Sequence, residues 1–403
     1  MIHLDTPKRF APLVNQAREV ARQVLRPISR QYDRAEHDRP VELDMLAAAI
    51  NGMNDAMGEM GAGATGVRRT APRNPDENAN GTNLSTCLSI MELCWGDVGL
   101  LLGMPGQGLG NAAIASVANE EQLARFKGRW AAMAITEPGC GSDSAAIRTT
   151  ARLDGDHYVL NGEKIYVTSG DRADLVVVWA TLDKSLGRAA IKSFVVEKGT
   201  PGFELARLEH KLGIRASDTA AFILKDCRVP KANLLGDPEI QAEKSFAGVM
   251  QTFDNTRPLV AAMAVGLAKA CLDEITPLMA EAGLTLDADR PLHRQPHAVA
   301  ELVRLRADYE AARLLTLQAA WMADNGRPNS LEASMAKAKA GRTCVDIALK
   351  CVELAGAVGY SEVSLLEKWA RDAKILDIFE GTQQIQLLII ARRLLGKSSA
   401  ELK

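Results

Sequence analysis

Three features that mark common protein classes are missing from this 403-residue sequence: a charge excess, an uninterrupted apolar run and paired cysteines. Lys and Arg number 48 against 50 Asp and Glu, a formal net charge of −2. A dedicated nucleic-acid-binding protein carries a basic excess, so we expect no nucleic-acid partner. The uncharged stretch 98–119 is long enough to cross a bilayer, but five glycines and a proline interrupt it, so we expect no membrane helix.

Signals for metal binding and for targeting are also missing. The seven cysteines lie singly, without a Cys-x-x-Cys pair or a nearby histidine, which predicts reduced, mostly buried thiols. His293 and His297 are four residues apart, but Pro291 and Pro296 interrupt the helix that ligands at this spacing need, so no metal is predicted. The amino terminus has no apolar segment behind basic residues, so we expect neither a secretory signal nor a lipid anchor, and a cytoplasmic location by default.

The hydrophobic pattern divides the chain into three parts. Apolar residues three and four apart predict a helical domain over 1–130, interrupted by a Gly-, Pro- and Asn-rich surface loop at 62–82. Alternating apolar residues predict a β domain over 131–240, and long amphipathic runs predict a helical bundle over 241–403. Because strands and helices do not alternate, a doubly wound α/β fold is excluded.

Within the β domain we predict strands over 175–182, 193–197 and 221–229, with tight turns at Asp154-Gly155 and Asn161-Gly162. The text Gly106-Gln107-Gly108-Leu109-Gly110 has no preceding strand, so it indicates a loop or close helix packing and not a dinucleotide site.

Two segments remain as candidate sites, since neither a P-loop nor a Gly-x-Ser-x-Gly elbow is present. AITEPGCGSD, 134–143, crowds hydroxyl groups and glycine amides at the start of the β domain, where backbone can approach a ligand's polar atoms. RDAKILDIFEGTQQIQ, 371–386, places Glu380 in an apolar text. Taken alone, Glu380 is better explained as a helix-end carboxylate before a glycine cap than as a catalyst.

Together with four further blocks, these segments resemble the acyl-CoA dehydrogenase family, in family order and over nearly the whole chain. The further blocks are NGEKIYVTSG, HKLGIRASDTA, KDCRVPKANLLG and FDNTRPLVAAMAVGLA. The resemblance implies a multi-domain α and β fold with an N-terminal helical domain, a central β-barrel domain and a C-terminal four-helix bundle. It also implies FAD, an acyl-CoA substrate, an electron-transfer flavoprotein as acceptor, a tetramer, and a place in fatty acid β-oxidation.

The resemblance further implies α,β-dehydrogenation of an acyl-CoA thioester to a trans-2-enoyl-CoA, with flavin N5 as hydride acceptor. Glu380 matches the base that removes the α-proton, and an apolar setting would raise the pKa of its carboxyl. Cofactor contacts are implied at Ile135, Thr136, Gly141, Ser142, Tyr166, Val167, Thr168, Gly356, Thr382 and Gln384. Substrate contacts are implied at Ser142, Asp254, Arg257 and Glu380; the alternative for Arg257 is a surface cation at a helix start beside Pro258.

The sequence departs from the family where a dimer neighbour would hold the FAD. The family's Arg-x-x-Phe-Gly is missing near Ala282, with Arg290 and Arg294 as alternative cations, and its Gln-x-x-Gly-Gly-x-Gly reads ELAGAVG, starting at Glu353. Both changes weaken attraction for a pyrophosphate anion. They leave two hypotheses: a homo-oligomer with altered contacts, or a partner subunit that needs a paralogous chain.

Two more departures concern the substrate and the reaction. The family's Gly-x-Gly-Phe is missing from 236–248, which together with the loop at 62–82 argues against ordinary fatty acyl chains. An acyl-CoA oxidase remains an alternative that the chain length disfavours, and a nitroalkane oxidase is disfavoured because an Asp is expected where Glu380 stands.

Overall fold

A computed structural model describes residues 6–48, 81–106, 109–240, 247–398 and 401, and of residues 247–255 only the backbone. The loop predicted at 62–82 therefore lies outside the described residues, apart from its last two positions. Within the described ranges no helix is long and apolar enough to cross a membrane.

Helices fill the described part of the N-terminal segment. The first, α1, continues through a π-helical turn (Ala21–Leu25) into α2. The helices are α1 (Ala11–Val20), α2 (Arg26–Arg34), α3 (41–48), α4 (Thr82–Gly96), α5 (Val98–Leu102), α6 (Leu109–Val117) and α7 (Glu120–Phe126). Gly110 is the second residue of α6, and a Cβ there would collide with the carbonyl of Ala132. Close packing, one of the two structures predicted for this glycine-rich segment, is therefore confirmed at this position.

A mostly antiparallel sheet follows. Its strands are β1 (Ala131–Ala134), β2 (Thr150–Asp154), β3 (His157–Thr168), β4 (Leu175–Thr181), β5 (Ile191–Glu197), β6 (Phe203–Leu208), β7 (Thr219–Pro230) and β8 (Leu234–Leu235). The strand order is β6-β7-β3-β2-β4-β5-β8, with β1 added in parallel to β4. Strand β4 is buried along its whole length, which places it at the centre of the sheet.

One predicted turn is wrong. Asn161-Gly162 lies inside β3, at a register shift in its pairing with β7, whereas the chain turns at Gly155-Asp156 between β2 and β3. A Cβ at residue 162 would collide with the side chain of Thr149. The glycine therefore permits a close approach between neighbouring segments and does not form a hairpin turn.

The C-terminal segment is a bundle in which α10 packs on α8, α9 and α13. Its helices are α8 (Ala247–Glu281), α9 (His297–Asp324), α10 (Ser330–Ala355), α11 (Ala357–Tyr360), α12 (Leu366–Ala373) and α13 (Gln383–Leu395). Helix α9 ends before Asn325-Gly326, and Gly326 has φ +62°. We propose domain boundaries at the two changes of secondary structure, near residues 130 and 240.

The segment between β6 and β7 joins the sheet to both groups of helices. The N–H of Ile214 donates to Asp372 of α12, whose other carboxylate oxygen accepts from Lys368 Nζ at 2.7 Å. Lys368 also bonds Asp97, the N-cap of α5. Lys368 is 1% exposed, so this charge cluster is buried at the junction of sheet and helices.

Candidate active site

Glu380 lies in a break between two helices. A 3₁₀ turn (Lys374–Asp377) ends before it, and α13 begins at Gln383 with Thr382 as its N-cap. Glu380 has φ +57° and Gly381 φ +91°, so two consecutive residues adopt left-handed backbone conformations. Glu380 is therefore not the last residue of a helix, and the reading of it as a helix-end carboxylate is wrong.

The carboxyl of Glu380 faces α8. Its Oε2 accepts a hydrogen bond of 2.8 Å from Thr256 Oγ1. Burial raises the pKa of this carboxyl, while the Thr256 hydrogen bond and the positive charges of Arg257 and Lys337 oppose that rise without cancelling it. The residue as a whole is half-buried, and burial is the largest influence on its carboxyl. This combination is that of a carboxylate tuned for proton transfer.

The cations near Glu380 are buried. Arg257 is 3% exposed and lies inside α8, so the reading of a surface cation at a helix start is wrong. Lys337 of α10 is 0% exposed, and its Nζ donates to the carbonyl oxygen of Gly381 at 2.7 Å. Sequence reasoning missed Lys337, although a lysine among the small residues of ASMAKAKAG was a visible signal. Asp254 belongs to α8, but its side chain lies outside the described residues.

The predicted flavin contacts nearest the start of the β domain come together at the ends of β1 and β3. Thr136 follows β1, and its carbonyl oxygen accepts from the N–H of Ile165 at 2.9 Å. Tyr166 has φ +56° and a side chain that is 61% exposed, whereas Val167 is buried. The glycine-rich turn carrying Gly141 and Ser142 is exposed beside them.

A buried ion pair holds this edge, and sequence reasoning missed it. Lys164, 0% exposed, donates to Glu137 Oε1 at 2.7 Å and to the Ile135 carbonyl at 3.0 Å. The Glu137 carboxylate also accepts from the backbone N–H groups of Arg148 and Thr149. Burial alone would raise the pKa of Glu137, but Lys164 and these hydrogen bonds outweigh burial and lower it.

The remaining predicted cofactor residues lie on the bundle. Gly356 is an exposed residue at the end of α10, with φ +57°. Thr382 is the N-cap of α13, and Gln384 is exposed in the first turn of that helix.

The donors at the β1–β3 edge fit an isoalloxazine ring. The ring has a flat apolar face and a rim of alternating hydrogen-bond donors and acceptors. The hydroxyls of Thr136, Ser142 and Thr168 can donate or accept along such a rim. The exposed ring of Tyr166 offers an aromatic surface for its face.

The elements that would serve a neighbouring subunit's cofactor are occupied by local contacts. Glu353 pairs with Lys350 at 2.6 Å, one turn earlier on α10, so its charge is partly compensated. Arg290 pairs with Asp287 at 3.0 Å, and Gln295 closes this loop by donating to the Asp287 carbonyl at 2.6 Å. Neither arrangement restores the missing arginine motif.

Comparison with known proteins places this architecture in a family of flavin-dependent oxidoreductases that act on CH–CH bonds. Residues 132–227 match the middle domain of acyl-CoA dehydrogenases and residues 246–395 match their C-terminal domain. The bovine mitochondrial short-chain specific acyl-CoA dehydrogenase is 35% identical over 406 residues, covering 97% of this chain and 91% of that protein. The chain belongs to the acyl-CoA dehydrogenase family, whose members use FAD, and the predicted family and fold class are confirmed.

Two further proteins are similar to this chain, one in sequence and one in structure. The rat mitochondrial short-chain specific acyl-CoA dehydrogenase is 42% identical over 262 residues, which are 65% of this chain and 62% of that protein. That alignment spans less than two thirds of the rat protein. The structure of butyryl-CoA dehydrogenase from Megasphaera elsdenii is 29% identical, with a TM-score of 0.81, covering 98% of this chain and all of that one, 100%.

Proposed function

We propose that this chain catalyses the α,β-dehydrogenation of an acyl-CoA thioester to a trans-2-enoyl-CoA, with Glu380 as the base. The observation that carries the proposal is the Glu380 carboxyl, buried, bonded to Thr256 and held by left-handed backbone between two helices. FAD, when bound, supplies the acceptor for the β-hydrogen that leaves as hydride.

Glu380 takes the proton from the substrate's α-carbon. That carbon is only weakly acidic, so a base with a raised pKa gains driving force for proton transfer near neutral pH. The thioester oxygen needs hydrogen-bond donors as enolate character develops on the substrate. The backbone N–H of Glu380 is the donor that the family resemblance assigns to this task.

We propose that the β1–β3 edge and the start of α13 orient the cofactor. Thr136, Ser142 and Thr168 would bond the rim of the ring, and Tyr166 would cover part of its face. Backbone at Ile135, Gly141 and Val167 would lie alongside, and Thr382, Gln384 and Gly356 would meet the remainder of the FAD. Arg257, with Asp254, would line the acyl-CoA site.

The relatives named as short-chain and butyryl-CoA enzymes favour a small acyl group, and an electron-transfer flavoprotein is the proposed acceptor in preference to oxygen. The altered segments 282–296 and 353–359 favour a second possibility, in which a paralogous subunit completes the FAD site. The cytoplasmic location stays a prediction, since the bovine and rat relatives are named mitochondrial.

The first test is anaerobic titration of the purified FAD-bound protein with butyryl-CoA and longer acyl-CoAs. Bleaching of the flavin absorbance is expected, and Glu380→Gln should slow it by about 10²–10⁴-fold, because general-base catalysis contributes on that scale. Glu310→Gln, on the exposed side of α9, is the matched control and should bleach normally. Retained bleaching in Glu380→Gln would refute the assigned base.

A second measurement separates the two oligomer hypotheses. The FAD-to-chain ratio and the mass in solution are determined on protein expressed alone. A tetramer with one FAD per chain supports a homo-oligomer. A chain that binds FAD only after co-expression with a paralogous subunit supports the hetero-oligomer.

A further inference from the structure

The buried Lys337 has an unusual partner. A lysine that is fully buried normally pairs with a carboxylate, because an uncompensated buried charge is costly. Among the described contacts, Lys337 donates instead to the peptide oxygen of Gly381, at 2.7 Å. Two carboxylates, Asp377 and Glu380, influence it only through their charge.

A second buried side chain reaches the same peptide oxygens from another helix. Gln386 of α13 is 0% exposed, and its Nε2 lies 3.2 Å from the carbonyl oxygen of Glu380 and 3.2 Å from that of Gly381. Donors from α10 and α13 therefore converge on the backbone carbonyl groups of Glu380 and Gly381.

These two carbonyl groups belong to the residues that have left-handed backbone conformations. Left-handed backbone conformations are unfavourable for L-residues, and a non-glycine residue keeps one only when its surroundings hold it. Glu380 is such a residue, at φ +57°. The next position must be glycine, since it has φ +91° and a Cβ there would lie 2.5 Å from Gln386 Nε2.

The charged groups around the Glu380 carboxyl also stabilise it in its position. Arg257 from α8 and Lys337 from α10 face Glu380, and the Thr256 hydroxyl bonds it. The competing acid is Asp377, which pairs with Lys374 at 3.2 Å and with Arg342 at 3.5 Å. Burial lowers the pKa of Lys337 to about 8, so below that pH Lys337 adds positive charge near the proposed base without occupying its oxygens.

We propose that Lys337 is a positioning residue for the base: with Gln386 it fixes the peptide oxygens of residues 380 and 381, which aims the Glu380 carboxyl, and its positive charge favours the ionised form of that carboxyl. The proposal rests on the proposed role of Glu380. It assigns Lys337 no contact with substrate or cofactor.

The test compares Lys337→Met with Lys339→Met, the same substitution two residues away on the half-exposed side of α10. FAD-bound variants are mixed anaerobically with saturating acyl-CoA. Lys337→Met should lower the limiting rate of flavin bleaching by about 100-fold, because small misplacements of a reacting group have effects of that size. Its affinity for acyl-CoA should stay close to that of wild type, and Lys339→Met should behave as wild type.

Two further readouts separate positioning from simple structural damage. In Lys337→Met the acidic limb of the pH–rate profile should move to higher pH, since a positive charge near Glu380 is lost; Lys337→Arg should restore both the limb and most of the rate. With substrate deuterated at the α-carbon, Lys337→Met should show a larger isotope effect than wild type, because proton removal becomes more rate-limiting.

Gln386→Leu is the second variant and serves if Lys337→Met does not fold. It removes the other donor but no charge, so it should lower the bleaching rate without moving the pH limb. A wild-type rate and pH limb in folded Lys337→Met would overturn the proposal, as would a wild-type rate in Gln386→Leu if Lys337→Met is unfolded. If Glu380→Gln bleaches normally, the proposed function itself fails; if only the Lys337 and Gln386 variants do, positioning alone fails.

Discussion

Two buried lysines support the two halves of the proposed site in different ways. At the β1–β3 edge, Lys164 binds the carboxylate of Glu137 directly, at 2.7 Å. In the bundle, Lys337 binds a peptide oxygen, and the nearby carboxylate of Glu380 is bonded by a threonine hydroxyl.

The difference explains why one carboxylate is structural and the other suits chemistry. Glu137 accepts from an ammonium and two backbone N–H groups, which stabilise its charge and lower its pKa. Among the described residues the Glu380 carboxylate accepts a hydrogen bond from one neutral donor, Thr256, and burial raises its pKa. A saturated carboxylate holds a turn in place, whereas an under-bonded one keeps its affinity for a proton.

Removing the ammonium should therefore have unequal effects on stability. Lys164→Met leaves Glu137 as a buried unpaired charge and should lower the free energy of unfolding by about 3–5 kcal/mol. Lys337→Met leaves the Gly381 carbonyl oxygen with its second donor, Gln386 Nε2, and removes a buried charge, so its loss should not exceed about 0.5–1.5 kcal/mol. Urea denaturation of both variants at pH 7 checks this order. Equal losses of unfolding free energy in the two variants would contradict the proposed difference between the two lysines. The loss in Lys164→Met should also become smaller at low pH, because Glu137 is then protonated.

Removing the Thr256 donor should increase the difference between the pKa values of the Glu380 and Glu137 carboxyls. Thr256→Val deletes a hydrogen bond to a charged group, an interaction that contributes roughly 1.5–3 kcal/mol. The pKa of Glu380 should rise further, so the acidic limb of the pH–rate profile moves to higher pH. Thr256→Ser, which keeps the hydroxyl, is the control and should leave the limb in place.

Neutralising the base should stabilise the fold. Burial raises the pKa of Glu380 in the folded state above its value in the unfolded state, so folding favours the protonated carboxyl. The stability that this preference contributes is fully present below the unfolded pKa and is lost as the pH rises through the folded pKa. Glu380→Gln should therefore raise the unfolding free energy by about 0.5–2 kcal/mol at pH 8, with no gain at pH 4. Thermal unfolding at both pH values measures this, and a gain of equal size at pH 4 would contradict it.

The smallest effect concerns the exposed tyrosine. Tyr166→Leu keeps an apolar side chain but loses the aromatic face, and should weaken FAD binding by roughly 3- to 10-fold. Fluorescence titration of apoprotein with FAD measures the change. Leu153→Ala, an exposed substitution on β2, should leave FAD affinity unchanged.

Local sequence patterns predicted much of the architecture. The change from a 3.6-residue to a two-residue period located the sheet, and the strands predicted over 175–182, 193–197 and 221–229 correspond to β4, β5 and β7, because periodicity follows from which face is buried. Strands β1, β6 and β8 were missed: β1 and β8 are too short for a pattern, and β6 has exposed residues at most positions. The prediction of a turn at Asn161-Gly162 was wrong because a glycine is required there by the close approach of Thr149, which lies outside the local segment.

The sequence by itself determined the family and the identity of the candidate base, since both follow from blocks of adjacent residues whose order in the chain matches the family. Only the tertiary structure decided which groups surround that base. Thr256, Lys337 and Gln386 come from three helices, and their approach to residues 380 and 381 depends on how α8, α10 and α13 pack. Burial, charge and hydrogen bonding of a carboxyl are set by neighbours in space, and no local pattern encodes them.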